Sequence, residues 1–181
     1  VNIVPVGADR KLLDRFLNLP FEVYGDDPHV VFPLLGEQKK FFDRSHNPFF
    51  EHAETELWLA LRDGRAVGRI AACVDATNNA HHHERVGFFG FYEAFDDTEA
   101  ADALLRTAAD WIIARGMDTM RGPGCFTSNH DWYGLQVAGR FDPETQRTTE
   151  KVARVELAPV SEVILDEESI QRFRTRYRTL F

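Results

Sequence analysis

The sequence predicts a mixed α/β (α+β) fold in which a mostly antiparallel sheet carries one β-α-β crossover and flanking helices. The first observation is a hairpin pattern. Two apolar runs, over 57–61 and 66–74, enclose the pair Asp63-Gly64. Glycine accepts the positive φ of a tight turn, so this pair between two apolar runs favours an antiparallel hairpin.

The second observation is a crossover pattern that follows the hairpin. An aromatic run over 85–92 leads through an acidic connection to a helical pattern over 98–115, and a second strand is predicted over 117–121. The apolar residues of the helical pattern form one stripe, and Gly116 is expected to end the helix. Asp97 or Thr98 is the expected N-cap. Strand, helix and strand in this order predict a right-handed return onto one sheet.

The N-terminal fifty residues predict a strand, a helix and a long aromatic segment. Residues 2–6 read as a short strand, and a helix beginning near Asp9 is expected to end at Pro20. The segment 21–50 is irregular and aromatic, with a short helix predicted over 34–42. Long aromatic segments of this kind form either a lid over a pocket or a satellite core on the sheet.

The segment 75–84 contains three consecutive histidines, His81 to His83, and is expected to be an exposed loop. Adjacent side chains rarely converge on one ion, and the sequence has no second Cys/His cluster at a ligand spacing. We therefore expect no metal site.

The C-terminal third predicts weaker elements. Ser128 or Asn129 is a candidate cap for a short helix containing Trp132, Tyr133, Leu135 and Val137. A polar linker or exposed turn over 139–150 precedes an alternating edge strand over 151–157. Residues 166–181 read as a helix whose arginines form a solvated basic face or dock onto an acidic surface.

Composition favours one packed domain without a nucleic-acid or membrane partner. The chain has 181 residues and 44% hydrophobic residues, enough for a core. Its net charge of -8 argues against nucleic acid and anionic membranes, which select basic surfaces. With no secretory leader, we expect a cytoplasmic protein with Cys73 and Cys125 as reduced thiols, although a chain beginning with Val can be a trimmed fragment.

The chain resembles the GNAT (Gcn5-related N-acetyltransferase) superfamily in the order and type of the predicted elements in three segments, which are 57–72, 87–92 and 103–117. Five further segments are similar to a narrower group of larger bacterial GNAT-like proteins. They are 20–28, 33–40, 46–50, 121–123 and 126–129. The resemblance covers roughly 1–140 as a GNAT-like acyltransferase domain. It implies that 141–181 form a divergent extension, with an edge strand and a helix.

The resemblance implies transfer of an acetyl or other acyl group from acyl-CoA to an amine of a small molecule or peptide. In the superfamily, acyl-CoA wedges between the strands on either side of the central helix. Its pantetheine pairs with the end of the first strand, and its pyrophosphate sits on the N-terminus of the helix. The cofactor-binding positions implied in this way are Phe91, Tyr92, Ala94, Thr98, Glu99, Ala100 and Asn129.

The resemblance also implies catalytic roles. A general base deprotonates the amine, and Glu93 is the candidate, with Glu54 or Glu56 as alternatives. Tyr133 is the candidate acid for the leaving thiolate, although it follows Asn129 at a shorter interval than is usual in the superfamily. The implied partner arrangements are a homodimer or a missing second GNAT-like half.

The sequence departs from the superfamily at the phosphate loop. Where a glycine-rich loop with a basic residue is usual, segment 95–101 has no glycine, no basic residue and three carboxylates. Carboxylates beside a pyrophosphate repel it, and an acidic first turn also suits a purely structural helix. Two functions therefore remain: an N-acyltransferase, and a non-catalytic GNAT-fold module that docks a partner.

Overall fold

The structure is a computed structural model that describes residues 1–25, 30, 32–124 and 126, and several strands beyond them. Its elements are β1 (Asn2–Pro5), α1 (Arg10–Val23), α2 (Leu35–Phe41), a 3-10 helix (Pro48–Glu51), β2 (Ala53–Arg62), β3 (Arg65–Asp75), α3 (Ala76–His82), β4 (Val86–Ala94), α4 (Thr98–Ile113), β5 (Thr119–Gly122), β6 (Leu135–Ala138), β7 (Phe141–Asp142), β8 (Arg147–Thr148), β9 (Lys151–Ala153) and β10 (Val155–Leu157). No helix in the described ranges is both long and apolar enough to cross a bilayer.

The main sheet has the strand order β1-β2-β3-β4-β5-β10. Neighbouring strands are antiparallel except for β4 and β5, which are parallel and joined through α4. The mixed, mostly antiparallel sheet with one crossover confirms the predicted fold class. The β2–β3 turn confirms the hairpin prediction, since Asp63 and Gly64 have φ of 51° and 79°.

Each face of the sheet carries its own hydrophobic core. Because side chains alternate along a strand, Ile70 and Ala72 of β3 face α4, whereas Ala71 and Cys73 face α1. On the first face Leu104 and other apolar residues of α4 pack against β2, β3 and β4. α4 begins at Thr98, as predicted, and ends two residues before the predicted end.

The aromatic segment before β2 forms the second core. Phe42 and Phe49 are buried, and both pack against Phe126, which follows β5. Phe16 of α1 completes this side, with its ring centroid 5.8 Å from that of Phe42. Of the two alternatives for this segment, the structure shows the satellite core, and it confirms the short helix as α2.

The prediction that Pro20 ends α1 was wrong, because the helix continues to Val23. Proline has no N–H, so it cannot bond the carbonyl of Phe16 four residues earlier. The Nη1 atom of Arg69 donates to that carbonyl oxygen instead, at 2.7 Å. A donor from the sheet therefore replaces the missing backbone bond, and the helix survives its proline.

The prediction of a loop over 75–84 was also wrong, because α3 lies there. Asp75 caps α3 by accepting from the backbone N–H groups of Thr77 and Asn78. The Asn79 side chain binds both N and O of Val86 and so fixes α3 to β4. The three histidines are exposed on the end of this helix.

Beyond β5 one prediction failed and others lie outside the described residues. Leu135 and Val137 lie on β6, which pairs with β9, so the predicted helix is wrong there. The two residues alternate as in a strand, whereas their spacings of three and four from Trp132 and Tyr133 also fit a helix. The predicted linker contains the β7–β8 hairpin, and the predicted edge strand contains β10, which pairs with β5. The 166–181 helix lies outside the described residues, and the division at residue 140 stays a prediction.

Candidate functional site

The strands β4 and β5 part after a short parallel pairing. Their register runs from Val86↔Thr119 to Phe88↔Arg121. One further backbone bond joins Gly124 N–H to the Phe89 carbonyl, at 3.0 Å. β4 then continues to Ala94, paired with β3 on its other side.

Gly90 and Gly124 explain where the parting occurs. A Cβ at Gly90 would collide with the carbonyl oxygen of Gly124, so the two backbones touch where a side chain would normally lie. The chain then crosses onto the α1 face, where the carbonyl of Phe126 accepts from Cys73 Sγ at 3.3 Å. Because Cys73 lies on β3, the segment after β5 passes over β4 rather than continuing beside it.

A β-bulge lies in β4 just after the parting point. The register moves from Ala71↔Gly90 to Arg69↔Glu93, so β4 carries one residue more than β3. Phe91 lies in this bulge with φ of 48°. Bulges re-aim side chains and are frequent beside functional sites.

Arg69 and Glu93 form an ion pair at this bulge. Arg69 Nε donates to Glu93 Oε2, and the guanidinium also lies over the rings of Phe16 and Phe91, at 4.8 and 5.9 Å from their centroids. The Arg69 side chain is buried, whereas the Glu93 side chain is 18% exposed. The candidate base is thus reachable from solvent and held by a buried cation.

Tyr24, at the end of α1, belongs to the same cluster. Burial raises the pKa of its hydroxyl, and the negative charge of Glu93 raises it further. Arg69 acts in the opposite direction. Tyr24 therefore stays a neutral phenol beside the Arg69–Glu93 pair.

The N-terminus of α4 lies past the end of β4 and is strongly charged. The Asp97 carboxylate caps the helix by accepting from Ala100 N–H at 3.1 Å. Arg62 of β2 binds this carboxylate through two contacts, at 2.8 and 3.0 Å, and reaches Glu99 at 2.7 Å. The hydrogen bonds from Arg62 lower the pKa of both carboxyls below their ordinary values.

The structure brings most of the predicted site residues to one end of β4. Phe91, Tyr92, Glu93 and Ala94 lie on its last four positions, and Thr98, Glu99 and Ala100 form the first turn of α4. Asn129 and Tyr133 lie outside the described residues.

The alternative bases lie away from that end of β4. Leu59 of β2 is level with Arg69 in the sheet, and Glu54 is five residues from Leu59, or about 17 Å along the strand. Glu54 pairs with Arg115 at 2.9 Å. Glu56 lies on the same side of Leu59, about 10 Å along the strand.

Sequence reasoning missed Arg62, Arg69 and Tyr24. A signal existed for Arg69, which is the one charge within the apolar run 66–74 and so predicted a buried ion pair. Arg62 and Tyr24 gave no comparable signal, because a polar residue before a turn or after a helix is ordinary.

Comparison with solved structures decides the fold. The structure is similar to a tandem GNAT protein from the clavulanic acid biosynthesis pathway, with a TM-score of 0.53 and 14% sequence identity. The match covers 66% of this chain and 35% of that protein. The chain has the GNAT fold. The GNAT fold that the sequence resemblance implies is thereby confirmed. No family model matches the chain.

Two curated proteins are similar in sequence to this GNAT-fold chain. The bacterial ceramide synthase of Caulobacter vibrioides is 38% identical over 143 residues, which are 78% of this chain and 36% of that protein. Protein YghO of Escherichia coli is 31% identical over 140 residues, which are 77% of this chain and 35% of that protein. The chain spans about a third of the length of these curated relatives.

The N-terminus of α4 does not fit the pyrophosphate of CoA. In the GNAT fold a pyrophosphate there would need backbone N–H groups and a positive field. Here the carboxylate of Asp97 already accepts from the first turn, and Glu99 adds a second anion. The predicted cofactor positions at Thr98, Glu99 and Ala100 stay a prediction that this geometry does not support.

Proposed function

We propose that this chain is the GNAT-fold part of an N-acyltransferase that joins an acyl group from acyl-CoA to a small-molecule amine. The supporting observation is the 38% identity to a bacterial ceramide synthase. A ceramide is the amide of a fatty acid and a long-chain amino alcohol. The proposed reaction is therefore transfer of a fatty acyl group to the primary amine of such an amino alcohol.

We propose further that the complete enzyme contains a second GNAT-like part. This chain spans about a third of its curated relatives, and its structural neighbour is a tandem GNAT protein. In this arrangement 1–140 act as one module and 141–181 lead away from it. A homodimer would be the other way to supply a second half.

Glu93 and Tyr133 are the proposed catalytic residues. Arg69 holds the carboxylate of Glu93 at the bulge beside the parting of β4 and β5, where solvent reaches it. An amine entering there would meet this carboxylate, which accepts its proton. Tyr133 would protonate the leaving thiolate.

The test is amide formation by the complete gene product, supplied with palmitoyl-CoA and sphinganine and followed by mass spectrometry. We expect the N-acyl product with sphinganine but not with lysine. Replacing Glu93 with Gln, which keeps shape and removes charge, should lower kcat about 100-fold or more. The matched control Asp110→Asn changes an exposed carboxylate on α4 and should leave kcat unchanged. Absence of the N-acyl product with sphinganine contradicts the proposal.

A second function is favoured by the two arginines. Arg69 pairs with Glu93, the candidate base, and Arg62 pairs with the carboxylates at the α4 N-terminus, which is the expected pyrophosphate position. A non-catalytic GNAT-fold module inside the enzyme would show this pattern. In the same assay, unchanged product formation by folded Glu93→Gln and Tyr133→Phe variants would establish the module and exclude the catalytic role of this chain.

A further inference from the structure

The first turn of α4 carries its own anion and its own counter-cation. Asp97 closes the turn twice, because its carboxylate accepts from Ala100 N–H and its backbone carbonyl accepts from Ala101 N–H at 3.0 Å. Arg62 grips the same carboxylate with two nitrogen atoms. The interaction links β2 to α4 across 35 residues of sequence.

The charge at this terminus is unfavourable for a second anion. Asp97 and Glu99 are carboxylates at neutral pH, as ordinary acidic side chains are, and hydrogen bonds from Arg62 lower the pKa of each further. The guanidinium of Arg62 contacts both carboxylates, and the N-terminal ammonium of Val1 contacts Glu99 at 3.1 Å, so both of these cations are already paired with carboxylates. A helix N-terminus attracts phosphate through its N–H groups and dipole, and here an aspartate already uses both.

We infer that Asp97 takes the place of a phosphate on α4, and that this terminus is closed to the phosphates of acyl-CoA. Any acyl-CoA used by the enzyme is then held by phosphate contacts elsewhere. The inference rests on the proposed function in one respect, which is the choice of acyl-CoA as the ligand that cannot place its phosphates at this terminus.

The test titrates the 181-residue chain with inorganic pyrophosphate, followed by calorimetry and by the amide NMR signals of residues 98–101. Wild type should show no saturable binding up to about 10 mM and no shift of these signals. The double variant Asp97→Ser with Glu99→Gln keeps a capping hydroxyl and removes both anions. It should bind pyrophosphate at least ten-fold more tightly and shift the 98–101 amides. The control pair Asp110→Asn with Asp118→Asn makes the same change in net charge at exposed sites and should behave as wild type.

Two results would overturn the inference. Saturable binding to wild type that shifts the 98–101 amides and disappears in Arg62→Gln would make Arg62 a phosphate ligand. A folded double variant that gains no affinity would show that the carboxylates do not close the terminus. Neither result bears on amide formation by the complete gene product, so failure here and failure of the proposed function are separate outcomes.

Discussion

Arg69 connects three parts of the molecule through one side chain. It pairs with Glu93 on the neighbouring strand, donates to the carbonyl that Pro20 leaves without a helical partner, and lies over the ring of Phe16. A buried guanidinium is costly unless its donors are used and its charge is compensated. Both conditions hold here, so Arg69 fixes α1 against the end of β4.

At the residue scale, Gly90→Ala should be the more damaging of two matched glycine substitutions. The new Cβ would meet the backbone carbonyl of Gly124, which cannot rotate away as a side chain would. We expect a loss of more than about 3 kcal/mol in the free energy of unfolding, measured by urea denaturation.

Gly36→Ala is the control, because Gly36 lies in α2 with no atom within 4 Å of the added Cβ. Helix propensity predicts a gain of about 0.5–1 kcal/mol for this change. Similar unfolding free energies for the two variants would contradict the contact between the β4 and β5 backbones.

At the scale of the element, α4 is built as a self-capped helix. Its apolar residues from Ala100 to Ile112 cover one face of the sheet, and its first turn is closed by Asp97 and Arg62. Acidic groups at this end are stabilised by the helix dipole, and the guanidinium from β2 reinforces them. The same features that start the helix firmly make its terminus a poor anion site.

This cap predicts a pH-dependent contribution to stability. The folded-state pKa values of Asp97 and Glu99 lie below their ordinary values because of hydrogen bonds from Arg62 and, for Glu99, also from the N-terminal ammonium of Val1. The stabilisation is therefore complete above the unfolded pKa, about pH 4, and is lost as pH falls through the folded pKa. Arg62→Gln should melt a few degrees below wild type at pH 7, and the difference should shrink below about pH 4.

The control is Arg10→Gln, which removes an exposed arginine of α1. Its melting temperature should follow that of wild type at every pH. A difference between wild type and Arg62→Gln that stays constant from pH 7 to pH 2 would contradict the ion pairs at the α4 terminus.

At the scale of the whole molecule, one sheet separates and joins two cores. β3 contributes Ile70 to the α4 side and Cys73 to the α1 side, and both residues are fully buried. If the sheet separated from either core, the residues of β3 that face the other core would lose their support as well. The two faces should therefore unfold together.

Leu17→Ala tests this coupling. Leu17 is buried on the α1 side, and its truncation should cost about 2–5 kcal/mol. Trp58 and Trp111 lie on the α4 side, so in a Trp132→Phe background their fluorescence reports the opposite core. We expect fluorescence and far-UV circular dichroism to give one coincident urea transition, shifted equally by Leu17→Ala. An unshifted fluorescence transition would show that the cores unfold separately.

Local patterns were sufficient for the regular elements. The Asp63-Gly64 turn, the stripe of α4 and the order of strand, helix and strand each depend on neighbouring residues, and each was predicted correctly. Two of the failures had non-local or ambiguous causes. Pro20 stops a helix unless a distant donor replaces its N–H. Leu135 and Val137 alternate as in a strand but also lie at helical spacings from Trp132 and Tyr133.

The sequence by itself determined the fold class and the acidic character of the α4 N-terminus, because the period of apolar residues, the turn residues and the charges can each be read from residues close together in the chain. Only the tertiary structure decided that Arg62 pairs with the carboxylates of that terminus and that Arg69 pairs with Glu93. Each of these pairs joins residues from different strands and loops, at separations of 35 and 24 residues. Sequence gives the charges, but the sheet register decides which of them meet.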